Sequence, residues 1–139
     1  MNGRSFIDTN VLVYCFDANE PVKRKRSLSI VEDGTTGDLV LSTQVLQEFY
    51  VAVTRKLKRP LPPSEAAAAV HELAKLTVVQ IDVPMVLSSI ADCQTHQLSL
   101  WDTLILRSAL TANCERVLTE DLQHGFVFGS LRVENPFLS

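Results

Sequence analysis

Residues 4–16, RSFIDTNVLVYCF, change their periodicity partway along. Arg4 to Ile7 reads as a short strand ending at Asp8. Asn10 to Phe16 then reads as one or two helical turns, with Asp8 or Thr9 placed to cap them. The same strand-then-helix pattern recurs down the chain. Pro21 suits the first turn of a helix that runs to about Asp33 and is closed by Gly34. Leu39-Val40-Leu41 is an apolar strand. Ser42 is placed to cap a helix in which Val45, Leu46, Phe49 and Val53 recur at helical spacing.

Arg59 to Pro63 is the clearest break, because Pro60, Pro62 and Pro63 are excluded from a helix interior. Ser64 starts an alanine-rich helix to about Leu76, and Val78 to Ile81 is a β-branched strand. Pro84 opens a helix to about Gln97, with Val86, Leu87, Ile90 and Ala91 on one side. Ser99 caps a further helix carrying Trp101, Leu104, Ile105, Ala109 and Ala112. Val117-Leu118 and Leu131 to Val133 are the last strands, with Gly125 ending a turn between them. Short strands alternating with helices predict an α/β layer structure around a mainly parallel sheet.

At 139 residues the chain reads as a single domain, residues 1–139, large enough to bury a core without disulfides. Its three cysteines, Cys15, Cys93 and Cys114, are odd in number and lack CxxC spacing. That indicates neither a disulfide framework nor a zinc site, and each reads as a small core residue. The apolar stretches are too short and interrupted to span a bilayer, and Met1 to Ser5 lacks the apolar run of a signal peptide. The expected location is cytoplasmic.

Parallel sheets bind ligands beyond the carboxyl ends of their strands. Asp8 and Asp121 directly follow strands, and Glu48 and Asp102 lie early in helices that flank the same edge. Each has a bland reading. Asp8 is a natural helix cap, Asp102 is the N3 partner of Ser99, and Asp121 is a turn residue after Thr119. Glu48, among Val45, Phe49, Val51 and Ala52, has no basic residue at helical spacing to pair with it. A carboxylate near a core is costly unless paired or metal-bound. Four such groups at one edge repel one another, and a divalent cation removes that penalty. All-oxygen donors of this kind suit Mg²⁺ or Mn²⁺.

The net charge of −3 does not exclude a polyanionic partner. Of 16 acids, four are the candidate ligands, leaving 12 against 13 bases. Eight bases fall in two clusters, Lys23-Arg24-Lys25-Arg26 and Arg55-Lys56 with Lys58-Arg59. Either cluster can contact phosphates, and either can equally be a solvated helix face or loop end. His71 and His96 read as peripheral, and His124 lies near enough to Asp121 to touch substrate.

Three segments together, IDTNVLVY, SLWDTLILRSAL and NCERVLTEDLQHG, with a Glu in the helix after the second strand, resemble PIN-domain ribonucleases. The resemblance spans essentially the whole chain and is greatest to VapC-type toxins of toxin–antitoxin modules. It implies a PIN-like three-layer α/β/α fold with a central, mainly parallel sheet. It also implies that Asp8, Glu48, Asp102 and Asp121 are the catalytic acids and hold one or two Mg²⁺ or Mn²⁺ ions. Asn10, Thr119 and Glu120 would stand beside them and orient ligands or a phosphate.

The activity so implied is hydrolysis of RNA by a metal-activated water, leaving a 5′-phosphate and a 3′-hydroxyl. A cognate protein antitoxin and a homodimer are the implied partners. Two other readings fit the residues less well. Haloacid dehalogenases need an acid where Asn10 stands, and receiver domains need a late Lys, whereas none follows Lys75. A catalytically silent interaction module has no reason to keep all four acids.

Overall fold

A computed structural model of the chain describes residues 3–33 and 38–138. Gly34, the expected end of the second helix, lies outside the described residues. The elements follow the order β1 (Ser5–Ile7), α1 (Thr9–Tyr14), α2 (Pro21–Asp33), β2 (Leu39–Ser42), α3 (Thr43–Arg55), α4 (Pro63–Leu73), β3 (Thr77–Val79), α5 (Val83–His96), α6 (Leu100–Thr111), β4 (Arg116–Leu118), β5 (Val127–Phe128) and β6 (Leu131–Glu134). Capping decides several of these boundaries. The side chains of Asp8, Ser42, Asp82 and Ser99 accept from the first-turn amides of α1, α3, α5 and α6 respectively. Pro63 is not a breaker but the opening residue of α4, where its missing N–H costs nothing.

The sheet order is β3-β2-β1-β4-β6-β5, with every pairing parallel except the β5–β6 hairpin. From β1 the chain steps outward to β2 and then β3, and afterwards crosses back to β4 on the other side of β1. Right-handed crossovers therefore place the helices before β3 on one face and α5 and α6 on the other. The contacts agree: α1 packs on α2 and α3, α3 packs on α4, and α5 packs on α6. The reversal between β1 and β4 is a topological switch point, where neighbouring loops diverge and leave a crevice. Register sets what meets there. Ile7 is level with Leu118, so Asp8 and Thr119 leave the sheet side by side, and the Asp8 N–H bonds the Leu118 carbonyl at 3.0 Å.

The core lies between sheet and helices, with Phe6, Ile7, Val40, Leu41, Phe49 and Leu106 among its fully buried side chains. Not every large apolar side chain of α5 and α6 is buried. Trp101 is 63% exposed, because it sits in the first turn of α6 ahead of the inward run Thr103 to Leu106. On α5 the inward positions are Met85 and Ser89, while Leu87 and Ile90 face outward and Leu87 is 62% exposed. Cys15 and Cys114 are buried as expected, and Cys93 only partly so. The β5 strand was not legible in the sequence. Two residues are too short for alternation, and the hairpin is closed by Gly129 at φ +62°.

Among the described residues, no helix is long and apolar enough to cross a membrane. Phe49 joins α3 to this core and meets Phe16 edge-on at 5.6 Å. Phe49→Ala is expected to cost about 3–5 kcal/mol. Urea denaturation should show this as a lowered midpoint with an unchanged slope.

Candidate active site

Asp8 leaves β1 at the switch point and is only 6% exposed. It both caps α1, accepting from the Thr9 N–H at 2.7 Å, and accepts from the Thr119 hydroxyl at 2.8 Å. The capping reading is therefore correct, but it does not account for the burial. Burial pushes the Asp8 carboxyl up to about 6, against the pull of the Thr119 and Thr9 hydrogen bonds, and the charges of Asp121 and Glu48 push it further the same way. Helix caps normally hold their charge near water. This one is held among other carboxylates.

Asn10, two residues on, ties together what leaves β1 and β4. Its Nδ2 donates to Asp121 at 3.0 Å, to the Thr119 hydroxyl at 3.2 Å and, more weakly, to Asp8 at 3.4 Å. Its Oδ1 accepts the Glu120 N–H at 3.3 Å. Thr119, fully buried, accepts the Asp121 N–H at 3.1 Å while donating to Asp8. The turn after β4 is thus fixed by side chains from both strands, and Asp121 projects from it into solvent.

Glu48 comes from α3, one turn past the Ser42 cap. Its two oxygens accept from the Thr9 hydroxyl at 2.8 Å and from Gln44 Nε2 at 3.4 Å. Gln44 Nε2 also donates to the Trp101 carbonyl at 3.2 Å, which links α3 to the start of α6. Asp102 lies in that first turn of α6. Its backbone N–H satisfies the Ser99 cap at 3.0 Å, which leaves the carboxylate available. Partial burial raises Asp102, Ser99 draws it down, and Asp121 and Glu48 raise it again. Asp8 and Asp102 both feel Asp121 and Glu48, so the four acids that the sequence singled out share one electrostatic neighbourhood. Among the described residues none of them pairs with a Lys, Arg or His.

Glu120 departs from expectation. Its carboxylate turns away from the other acids, accepting from the Tyr14 hydroxyl and pairing with Lys23 Nζ at 2.9 Å. Glu120 and Tyr14 hold Lys23 strongly in its charged form. The Phe137 ring packs edge-on against Tyr14 and lies under Lys23, so the C-terminal segment braces the turn that carries Asp121. Sequence reading missed Tyr14, Lys23 and Gln44 as site-building residues. Their partners are 106, 97 and 57 residues away, and local spacing carries no signal for them. His124 stays exposed, with Nδ1 accepting from the Asn135 N–H at 3.0 Å.

Thr9, Asn10, Glu48 and Asp121 line one side of a cleft of about 610 Å³ that runs along α3 to Lys56 and Leu57. Its inner end offers carboxylate and hydroxyl oxygens and no nitrogen or sulfur ligand. That donor set fits Mg²⁺ or Mn²⁺. Among the described residues, no three acidic, His or Cys side chains are already drawn in closely enough to grip an ion. The chemistry of the donors fits, and the carboxylates stand apart.

The sequence of residues 5–125 matches the family described as the PIN domain. No curated protein matches the sequence closely enough to count as a relative. Solved structures share the fold at low identity. A toxin–antitoxin complex from Klebsiella pneumoniae has a TM-score of 0.71 at 19% identity, over 96% of this chain and 98% of that one. The DNA-bound VapBC complex of Salmonella typhimurium gives 0.66 at 18% identity, over 96% and 98%. A sarcin–ricin-loop-cleaving VapC toxin of Mycobacterium tuberculosis gives 0.62 at 14% identity, over 84% and 91%. With the family matched from β1 through the turn that carries Asp121, and the mostly parallel sheet shared by these toxins, the chain belongs to the PIN-domain family.

Proposed function

We propose that this protein is a metal-dependent endoribonuclease and the toxin of a toxin–antitoxin module. The observation that carries the reading is that Asp8 and Asp102 both feel the charges of Glu48 and Asp121, which line one cleft, and that among the described residues none of the four has a basic partner. Unneutralised, this arrangement costs folding energy. A protein that keeps it has a use for the charge.

Asp8, Glu48, Asp102 and Asp121 would hold one or two Mg²⁺ or Mn²⁺ ions. A divalent cation bound there supplies Lewis acidity toward a phosphoryl oxygen and lowers the pKa of water to the neutral range. The chain's own residues do the positioning. Asn10 and Thr119 fix Asp8 and Asp121 relative to one another across the switch point, while Thr9 and Gln44 orient Glu48. The Thr9 hydroxyl and Asn10 amide would keep the Glu48 and Asp121 carboxylates oriented toward an ion, since a carboxylate oxygen can accept a hydrogen bond and still serve as a ligand. Water as the nucleophile makes no use of the RNA 2′-hydroxyl, and with the 3′-oxygen as leaving group, as the family resemblance implies, the P–O3′ bond breaks to give 5′-phosphate and 3′-hydroxyl ends.

A protein antitoxin is the proposed partner, supported by fold neighbours solved as toxin–antitoxin complexes. An apolar groove between α3 and α4, lined by Leu46, Tyr50, Val51 and Val70, adjoins the cleft through Gln47 and Val51 and offers surface for such a contact. A homodimer is part of the same proposal. The cytoplasm, where the RNA is, is the proposed location.

Incubating total RNA with the protein and Mg²⁺, then mapping the new ends, tests the activity. Discrete new 5′-phosphate ends are expected, absent with excess chelator and absent with Asp102→Asn. Cleavage by Asp102→Asn at the wild-type rate, or cleavage undiminished by chelator, would overturn the mechanism.

The raised Asp8 carboxyl gives a second expectation, for the metal-free protein. Its folded value of about 6 lies above the unfolded one, so stability from its neutral form is present at acid pH and lost as pH rises from about 4 through 6. Asp8→Asn abolishes that loss. In chelator at pH 7.5 the variant should melt several degrees above wild type, and at pH 4.5 that difference should shrink to roughly a third. Equal melting temperatures at both values would contradict the burial cost assigned to Asp8.

A further inference from the structure

The two basic clusters of the sequence meet different fates in the fold. In the first, Lys23 pairs with Glu120, Arg24 Nε donates to the Cys15 carbonyl at 3.1 Å, and Arg26 Nε donates to the Pro136 carbonyl at 3.1 Å. These three cations fasten α2 to α1, to the turn after β4 and to the C-terminal segment. Only Lys25 is left to solvent. The second cluster makes no such bonds. Arg55, Lys56, Lys58 and Arg59 are all exposed, and among the described residues none forms an ion pair or a side-chain hydrogen bond.

One member of the free cluster, Lys56, reaches the cleft, and the other three neighbour it in the chain. Lys56 caps the C-terminal end of α3 and lines the same cleft as Glu48 and Asp121. Glu48 and Lys56 are two helical turns apart, about 12 Å along the axis at 1.5 Å per residue. The segment beyond is folded back, not trailing: the Leu61 N–H bonds the Val53 carbonyl at 2.8 Å, and Pro60, Pro62 and Pro63 restrict its backbone. A bland account exists for part of the cluster. Cations at a helix C-terminus complement the helix dipole, and Arg55 sits in the last turn of α3. That effect fades within a turn and gives no reason for Lys58 and Arg59.

We propose that Arg55, Lys56, Lys58 and Arg59 form a backbone-binding arm that holds single-stranded RNA at the outer end of the cleft, while a neighbouring phosphate lies at the carboxylates. The proposal rests on the reading of the cleft as a nuclease site. RNA is favoured over an acidic peptide because the substrate must be held on both sides of the cut, and evenly spaced phosphates serve the ion-binding end and the arm together. Two guanidinium forks among the four cations also match phosphate geometry. Binding along a charged groove tolerates sequence, so the arm supplies affinity and leaves the choice of site to other contacts.

The test compares two charge-matched pairs in an Asp102→Asn background, in which cleavage is expected to be lost and binding at the arm to remain. One protein carries Lys56→Gln and Arg59→Gln, and the other carries Lys25→Gln and Lys75→Gln. Fluorescence anisotropy of a labelled single-stranded RNA is followed in Mg²⁺ over a range of salt. The Lys56/Arg59 pair is expected to weaken binding by about tenfold or more and to flatten the plot of log K against log salt by about 0.7 for each lost phosphate contact. The Lys25/Lys75 pair should change affinity by less than about twofold.

Equal losses in the two pairs would overturn the arm, because net charge alone would then account for them. Unchanged RNA binding with reduced binding of a polyglutamate peptide would also overturn it, and would assign the cluster to a protein partner. If the parent Asp102→Asn protein binds no RNA and wild type cuts none, the nuclease reading itself fails. If wild type cuts while both pairs bind RNA alike, only the arm fails.

Discussion

Mutual repulsion among four carboxylates at one sheet edge is the constraint around which the rest of the site is arranged. Asp8 bears the largest cost, set first by its burial and then increased by the charges of Asp121 and Glu48. Coulomb repulsion of this kind is weak in water and strong in a desolvated cleft. The fold offsets it with neutral donors: Thr119 and the Thr9 amide on Asp8, the Thr9 hydroxyl and Gln44 on Glu48, Asn10 on Asp121. Hydrogen-bond donors can hold carboxylates in place without cancelling their charge, which a Lys or Arg would do. The site is built to stay negative.

The switch point makes the convergence possible. β1 and β4 are adjacent and parallel, so the residues after each leave the sheet together, and the diverging connections open the cleft between them. From one side α3 brings Glu48, and from the other α6 brings Asp102, with Gln44 joining the two helices through the Trp101 carbonyl. Glu120 has the opposite task. Adjacent to Asp121 in sequence, it is neutralised by Lys23 and locked by Tyr14, and so anchors the turn instead of adding to the repulsion. Two neighbouring acids thus differ in role according to whether a cation faces them.

Much of this was legible in the sequence for local reasons. Capping residues Asp8, Ser42 and Ser99, and the apolar spacing of Val45, Phe49 and Val53, act over a few residues, and the predicted helices begin where those residues place them. The acids were legible because Asp8 and Asp121 come after strands while Glu48 and Asp102 lie early in helices. Other features depend on long-range contacts. The outward face of α5 and the exposure of Trp101 follow from how α5 and α6 pack together, and apolar spacing alone says nothing about which face a helix buries. The inward turn of Glu120 toward Lys23 joins residues 97 apart in the chain, so neighbouring sequence points, misleadingly, toward the other acids.

The central claim is that the four carboxylates share a divalent cation. Calorimetric titration of the chelator-treated protein with Mn²⁺ addresses it most directly, since it needs no substrate and no partner. Saturable binding by wild type is predicted, with proton release at pH 6 larger than at pH 8 as Asp8 gives up its proton, and loss of binding in both Asp8→Asn and Asp102→Asn. Absence of saturable Mn²⁺ or Mg²⁺ binding by wild type, or binding undiminished in both variants, would contradict the account.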